Sequence, residues 1–88
     1  MADKPKEREI YACHHGDYAG QAFIFINEEE LSYNFLRIPD MVNISVPHED
    51  FYNGVHKEIL QLIESVPRDV YSIVQAQYNK NENTDNWW

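Results

Sequence analysis

The chain has 88 residues, a formal net charge of −8 and a single cysteine. This length suits one domain, one cysteine cannot form an internal disulfide, and no apolar run approaches the ~20 residues that span a bilayer. The start of the chain is polar and lacks the apolar core of a signal peptide, so we expect a soluble cytoplasmic protein with no membrane attachment.

The charge is unevenly distributed along the chain. Three of the seven basic residues, Lys4, Lys6 and Arg8, lie near its start, whereas residues 9–88 hold 13 acidic and four basic side chains. Because proteins bind nucleic acids largely by neutralising phosphates with Lys and Arg, this excess predicts no direct contact with DNA or RNA. Anionic membranes are disfavoured for the same reason. A protein partner with a basic surface is favoured, since opposite charges raise the rate of encounter.

The first part of the chain predicts a lead-in and two strands. Residues 1–7 are polar and aperiodic, which is typical of a disordered segment. The β-prone run over residues 8–14 predicts a strand, and the glycines within residues 15–20 predict a turn. Residues 22–26 are apolar at every position. We therefore expect a central strand that is covered on both faces.

The next segment allows two interpretations. Residues 27–30 are either a hairpin loop or the first turn of a helix capped by Asn27. Residues 31–38 alternate at their start and contain weak helix formers, which favours a return strand. After a turn at residues 39–40, residues 42–46 alternate again and predict a further strand.

An amphipathic helix is predicted over about residues 48–66. Pro47 suits a first turn, and Glu49 and Asp50 lie near the positive end of the helix dipole. Apolar residues at spacings of three and four form one face about 120° wide. They are Phe51, Val55, Ile59, Leu62, Ile63 and Val66. Pro67 is expected to end the helix.

Residues 70–78 fit a strand or a helix. Their β-branched and aromatic content favours a final strand, although Val70, Val74 and Tyr78 also share one helical face. Residues 79–88 are polar up to a terminal Trp-Trp pair and predict a flexible, acidic, Asn-rich tail. The elements together predict one α+β domain over residues 8–78, with a four- to five-stranded, mostly antiparallel sheet and one helix packed on one face.

Candidate catalytic and metal-binding residues are few. Cys13, His14 and His15 are adjacent, and His48 and His56 belong to the predicted helix. Their spacing matches no zinc motif, since two turns of helix separate the last two histidines. A reactive cysteine needs an electropositive setting, which this acidic chain does not predict. We therefore predict no catalytic residue, no metal site and no cofactor.

Several features favour contact with a protein partner. The run Glu28, Glu29, Glu30 is either a solvated loop or a contact for a basic groove. The six tyrosines are many for a small core, and tyrosine is enriched at interfaces. On the predicted helix, Tyr52 and Leu60 lie outside the centre of the apolar face. Trp87 and Trp88 end a polar segment and are candidates for docking on a partner or on the chain itself.

These features predict a non-enzymatic acidic protein-binding module that regulates or inhibits a larger protein. A more specific form of this prediction is a nucleic-acid mimic that fills the basic groove of a nucleic-acid-binding protein. It is suggested by analogy with small mobile-element or phage accessory proteins. Two alternatives stay open. One is a structural homo-oligomer, such as a homodimer paired through a sheet edge. The other is a small metal- or Cys/His-dependent enzyme.

Overall fold

A computed structural model describes residues 4–14, 19–38 and 40–86, with only the backbone of Asn86. Within these ranges the chain forms six strands and two helices. The strands are β1 Glu9–Cys13, β2 Ala22–Glu28, β3 Ser32–Ile38, β4 Val42–Pro47, β5 Leu60–Ser65 and β6 Thr84–Asn86. The helices are α1 His48–His56 and α2 Arg68–Lys80. The predicted strands over residues 8–14, 22–26, 31–38 and 42–46 are thereby confirmed.

All six strands belong to one mixed sheet in the order β5-β1-β2-β3-β4-β6. Strands β1 to β4 form an antiparallel meander, and β5 pairs antiparallel with β1 at one edge. At the opposite edge β6 pairs with β4 in parallel. The sheet is thus larger than the predicted four- to five-stranded one, and it is mixed.

The two helices cover opposite faces of the sheet. Side chains of a strand alternate between its faces, and in β2 Phe23 and Phe25 pack with α1 whereas Ile24 and Ile26 pack with α2. The expectation that β2 is covered on both faces is confirmed. The prediction of one helix on one face is wrong, because the second apolar face of β2 also has to be removed from water.

The α1 face is a cluster of aromatic rings around Phe51. The Phe51 ring stacks on Phe35 with the centroids 5.8 Å apart and meets Tyr11 edge to face at 5.2 Å. Offset-stacked and edge-to-face pairs are the favoured geometries of aromatic rings. The remaining buried rings of this face are Phe23, Phe25 and Tyr33.

The α2 face is mostly aliphatic and includes buried polar groups. At a bulge in β2 the ladder to β3 shifts register around Ile26, which interrupts the hydrogen bonds between the strands. The Tyr71 hydroxyl donates there to the carbonyl oxygens of Phe25 and Ile26, at 3.3 and 3.2 Å. Asn43 Nδ2 donates to the carbonyl oxygen of Tyr78 at 3.0 Å. These bonds attach α2 to the sheet.

Helix α1 is nine residues long, so the predicted helix over residues 48–66 is wrong in its second half. The Ile59 N–H donates to the Gly54 carbonyl at 2.8 Å, and the Glu58 N–H donates to the Val55 carbonyl at 3.1 Å. This is the Schellman pattern that terminates helices. Glu58 has a φ of 61° in the position where glycine is usual. The sequence therefore lacked the usual signal for a helix end.

The segment after this turn becomes strand β5, because β1 offers an open edge of backbone groups to pair with. Conversely, residues 70–78 lie in helix α2, so the adopted interpretation of a final strand is wrong. Val74 and Tyr78, on the helical face that the alternative interpretation identified, pack with Tyr71 on the second face of the sheet, whereas Val70 of that face is exposed.

The two ends of the chain differ from their predicted outlines. In the lead-in 1–7, residues 4–7 are described and Pro5 is buried. In the predicted tail 79–88, residues 79 and 80 end α2, and residues 84–86 form β6. Residues 1–3, 87 and 88 lie outside the described part of the chain. Neither of the two helices in the described ranges is long and apolar enough to cross a membrane.

Candidate functional site

The end of β2 and the turn that follows it carry three glutamates and a leucine at one end of the sheet. We call residues Glu28–Leu31 the acidic turn. The Glu29 N–H donates to the carbonyl oxygen of Ser32 at 2.8 Å and closes the hairpin, so the loop interpretation of residues 27–30 is confirmed over the helical one. All four residues are exposed, and Leu31 is 79% exposed. The acidic turn thus presents one apolar side chain among carboxylates.

The first residue of α1 holds the backbone of the acidic turn. The His48 N–H donates to the Leu31 carbonyl oxygen at 3.2 Å, and His48 Nε2–H donates to the Glu29 carbonyl oxygen at 3.1 Å. The imidazole lies against the ring of Tyr33 with the centroids 4.2 Å apart. A turn fixed in this way loses little conformational freedom when a partner binds.

The three carboxylates differ in how they are held. Buried Asn34 donates from Nδ2 to Glu29 Oε1 at 2.8 Å. Glu28 Oε2 lies 3.5 Å from Nζ of Lys4, in an exposed ion pair. Glu30 forms no hydrogen bond or ion pair with any residue that the structure describes. One carboxylate is therefore oriented by the core, and the one at the tip stays available.

Further acids surround the acidic turn. Glu49 and Asp50 follow His48 in the first turn of α1, and the contacts of His48 place that helix end beside the acidic turn. Within the described ranges, Lys4 is the one base in an ion pair here. A negative potential is therefore expected at this end of the sheet, and it would attract a basic surface.

Tyr52 lies on α1 close to the acidic turn but has its hydroxyl engaged. That hydroxyl forms a hydrogen bond with the hydroxyl of buried Tyr33, which lies directly opposite Glu28 in the ladder. Burial, reinforced by Tyr52 and by the charge of Glu28, raises the pKa of Tyr33 far above its ordinary value. Tyr33 therefore stays neutral at physiological pH, and half-buried Tyr52 offers only part of its ring to a partner.

The structure does not bring all the predicted partner-binding residues together. Leu60 was expected on the flank of a helix, but it begins β5 and is buried against α1. A Cβ at Gly54 would lie 3.0 Å from Leu60 Cδ1, so the glycine permits this close packing. A buried side chain offers no surface, and Leu60 is not part of the candidate site. Trp87 and Trp88 lie outside the described residues.

The candidate catalytic residues that the structure describes are dispersed, and His15 lies outside the described residues. Cys13 is buried in the aromatic face of the sheet. His14 is exposed and hydrogen-bonded to Gln61 Oε1 at 3.0 Å. His48 supports the acidic turn, and His56 ends α1 on the surface. In the part of the chain that the structure describes, no three His, Cys, Asp or Glu side chains form a metal-binding group.

Leu31 was missed as a site residue because it begins an alternating run and was assigned to a strand. Its signal in the sequence is that it directly follows three glutamates. An apolar residue at the tip of a charged turn has no intramolecular partner and is left in water. Leu31 differs from a core position only because strand β3 begins one residue later, at Ser32.

Comparisons of the chain with family models, with curated proteins and with solved structures find no match. The geometry of the acidic turn and the charge of the chain are accordingly the basis for a functional proposal.

Proposed function

We propose that this protein is a non-enzymatic protein-binding module that regulates or inhibits a larger protein with a basic surface. The acidic turn is its contact, with Leu31 inserted in an apolar depression and the glutamates facing Lys or Arg around it. The observation that carries the proposal is the 79% exposure of Leu31 on a turn that α1 holds in place.

Two physical effects support this mode of binding. Removing a leucine side chain from water stabilises a complex by about 1.5–3 kcal/mol when burial is complete. The surrounding carboxylates mainly raise the association rate and select against acidic partners. A nucleic-acid mimic would depend on the carboxylates alone, so the contribution of Leu31 separates the two forms of the proposal.

The experiment starts by tagging the full chain, expressing it in its native cell and identifying by mass spectrometry what co-purifies at low and at high salt. Binding of the purified partner is then measured for Leu31→Ser and for the triple variant Glu28→Gln, Glu29→Gln and Glu30→Gln. The glutamine at position 29 retains the acceptor for Asn34. We expect each variant to weaken binding about tenfold or more, which corresponds to about 1.4 kcal/mol.

Two controls match these changes elsewhere on the surface. Ile73→Ser removes another exposed apolar side chain, and Glu7→Gln with Asp69→Asn and Glu82→Gln removes three other exposed charges. Both should bind as the unmodified chain does. Equal affinity of Leu31→Ser and the unmodified chain, with steep loss in salt, would select the mimic. Unchanged binding by all variants would contradict the proposal.

A further inference from the structure

Strand β5 leaves hydrogen-bonding groups at the outer edge of the sheet. The His14 N–H donates to the Ile59 carbonyl oxygen at 2.9 Å. Bonded and non-bonded pairs alternate along an antiparallel ladder, so Gln61, two residues further along, also bonds to β1. The backbone N–H and C=O groups of Leu60 and Leu62 consequently point away from β1.

No residue in the described ranges occupies this edge. It ends the strand order, and no described backbone group bonds to Leu60 or Leu62 from outside. The extra residue Ile63 forms a bulge against β1, which limits regular pairing to the segment before it. The side chains of Leu62 and Ile63 are 48% and 52% exposed. An open edge with apolar side chains is a template for another strand.

A groove lies beside this edge on the α1 side of the sheet. Its volume is about 490 Å³. Its apolar lining is Val55, Leu60 and Leu62, and its polar and charged lining is His14, Lys57, Glu58 and Gln61. A strand added to β5 would direct alternate side chains to this side of the sheet. One apolar side chain of the added strand would therefore lie in the groove.

The charges near β5 determine which kind of strand can pair with it. In a second copy paired antiparallel with Leu60 opposite Leu62, the Glu58 end of one β5 lies beside the Glu64 end of the other. Like charges brought together across a strand pair destabilise it, and each copy carries a net charge of −8. A basic strand would meet exposed carboxylates instead: Glu58 at the groove, and Glu64 on the other side of the sheet, where it lies opposite Ile10. Among the described bases, Lys57 lines the groove, and Arg8 is bonded through its backbone to Val66, just beyond the other end of β5.

We propose that β5 binds an extended, basic segment of a partner protein as a seventh strand of the sheet. Outward backbone groups of Leu60 and Leu62 supply the hydrogen bonds, the groove takes an apolar side chain, and Glu64 faces Lys or Arg on the other side of the sheet. This is strand addition, in which backbone bonds give affinity and alternate side chains give specificity. The inference rests on the proposed function in taking the partner to be a basic protein.

The test uses the full chain, labelled with ¹⁵N, and a capped synthetic peptide of about eight residues in which Lys and Val alternate. Amide hydrogen exchange is followed residue by residue. We expect the peptide to slow exchange at Leu60 and Leu62 by about tenfold or more, because both N–H groups become hydrogen-bonded. Gln61, already bonded to β1, is the internal control and should change little. A peptide with Glu in place of Lys should have no effect.

A matched pair of variants completes the test. Leu62→Lys places a positive charge at the edge and should weaken binding of the Lys-Val peptide about tenfold. Ile73→Lys makes the same charge change at another exposed position and should bind as the unmodified chain does. Unchanged exchange at Leu60 and Leu62, or equal binding of the Glu-Val peptide, would overturn the inference. Protection of the same amides that increases with protein concentration in the absence of peptide would also overturn it. That result would identify a second copy as the occupant.

The result is independent of the acidic turn. The triple glutamine variant at positions 28–30 should retain protection of the β5 amides by the peptide. If it loses this protection as completely as Leu62→Lys does, the peptide binds by net charge and the inference about β5 fails. Loss of the native partner on Leu31→Ser, with the β5 amides unaffected, is a result about the acidic turn alone.

Discussion

The two faces of the sheet use alternate residues of the same strands, yet different interactions hold their helices. On the α1 face, six buried rings of the described residues, Phe51 among them, pack against one another. On the α2 face, aliphatic side chains surround a buried tyrosine hydroxyl and the amide of Asn43. The first face depends on the fit of apolar shapes. The second also depends on polar groups that must stay hydrogen-bonded, since each buried group left without a partner costs about 1–3 kcal/mol.

The largest expected effect is on the aromatic face. Phe51→Ala should lower the free energy of unfolding by about 3–5 kcal/mol, because it removes buried surface and leaves a cavity among the rings. Urea denaturation followed by circular dichroism measures this loss. Ile73→Ala, at a position 68% exposed on α2, should change stability by no more than about 0.5 kcal/mol. Equal effects of the two substitutions would show that the ring cluster is not the main core.

A smaller effect is expected on the polar face. Asn43→Ala removes the donor to the Tyr78 carbonyl oxygen and the acceptor of Asn81 Nδ2, which lies 2.7 Å from Asn43 Oδ1. We expect a loss of about 1–3 kcal/mol and faster amide exchange at the end of α2, with α1 unchanged. Ser45→Ala, on the same strand, is the control. Faster exchange throughout α1 would mean that the two faces are not separable.

Alkaline pH should lower the free energy of unfolding gradually, through buried tyrosines on both faces of the sheet. Burial raises the pKa of Tyr33 on the α1 face and of Tyr71 on the α2 face above 10.0. In the unfolded chain these tyrosines ionise near pH 10, while in the folded chain they keep their protons. Stability is therefore complete below about pH 10 and falls above it, by at most about 1.4 kcal/mol per pH unit for each tyrosine.

Urea denaturation at several alkaline pH values measures this slope. Tyr33→Phe and Tyr71→Phe should each make it shallower, independently of what either substitution does at neutral pH. A slope that neither variant changes would assign the alkaline loss to other groups.

The local sequence pattern was sufficient to predict the strands of the meander. It was insufficient to predict the elements in the second half of the chain. The alternation in β3 and β4 has one structural solution, because a shift by one residue would expose the apolar side chains. Residues 59–66 fit both a helical face and a strand. They form β5 after α1 ends, where Glu58 adopts the left-handed conformation without the usual glycine. The acidic run of the candidate site was visible in the sequence, while the exposure of Leu31 and the burial of Leu60 depended on where strands begin.

The sequence alone determined the central strands, the start of α1, the acidic character of the surface and the need to cover β2 on both faces. Those properties follow from side-chain chemistry and short-range spacing. Only the tertiary structure decided that residues 60–65 pair with β1 and that residues 68–80 form a helix. Both segments are compatible with either secondary structure, so the choice is made by distant partners: the open edge of β1 requires hydrogen bonds, and the second face of β2 requires an apolar cover.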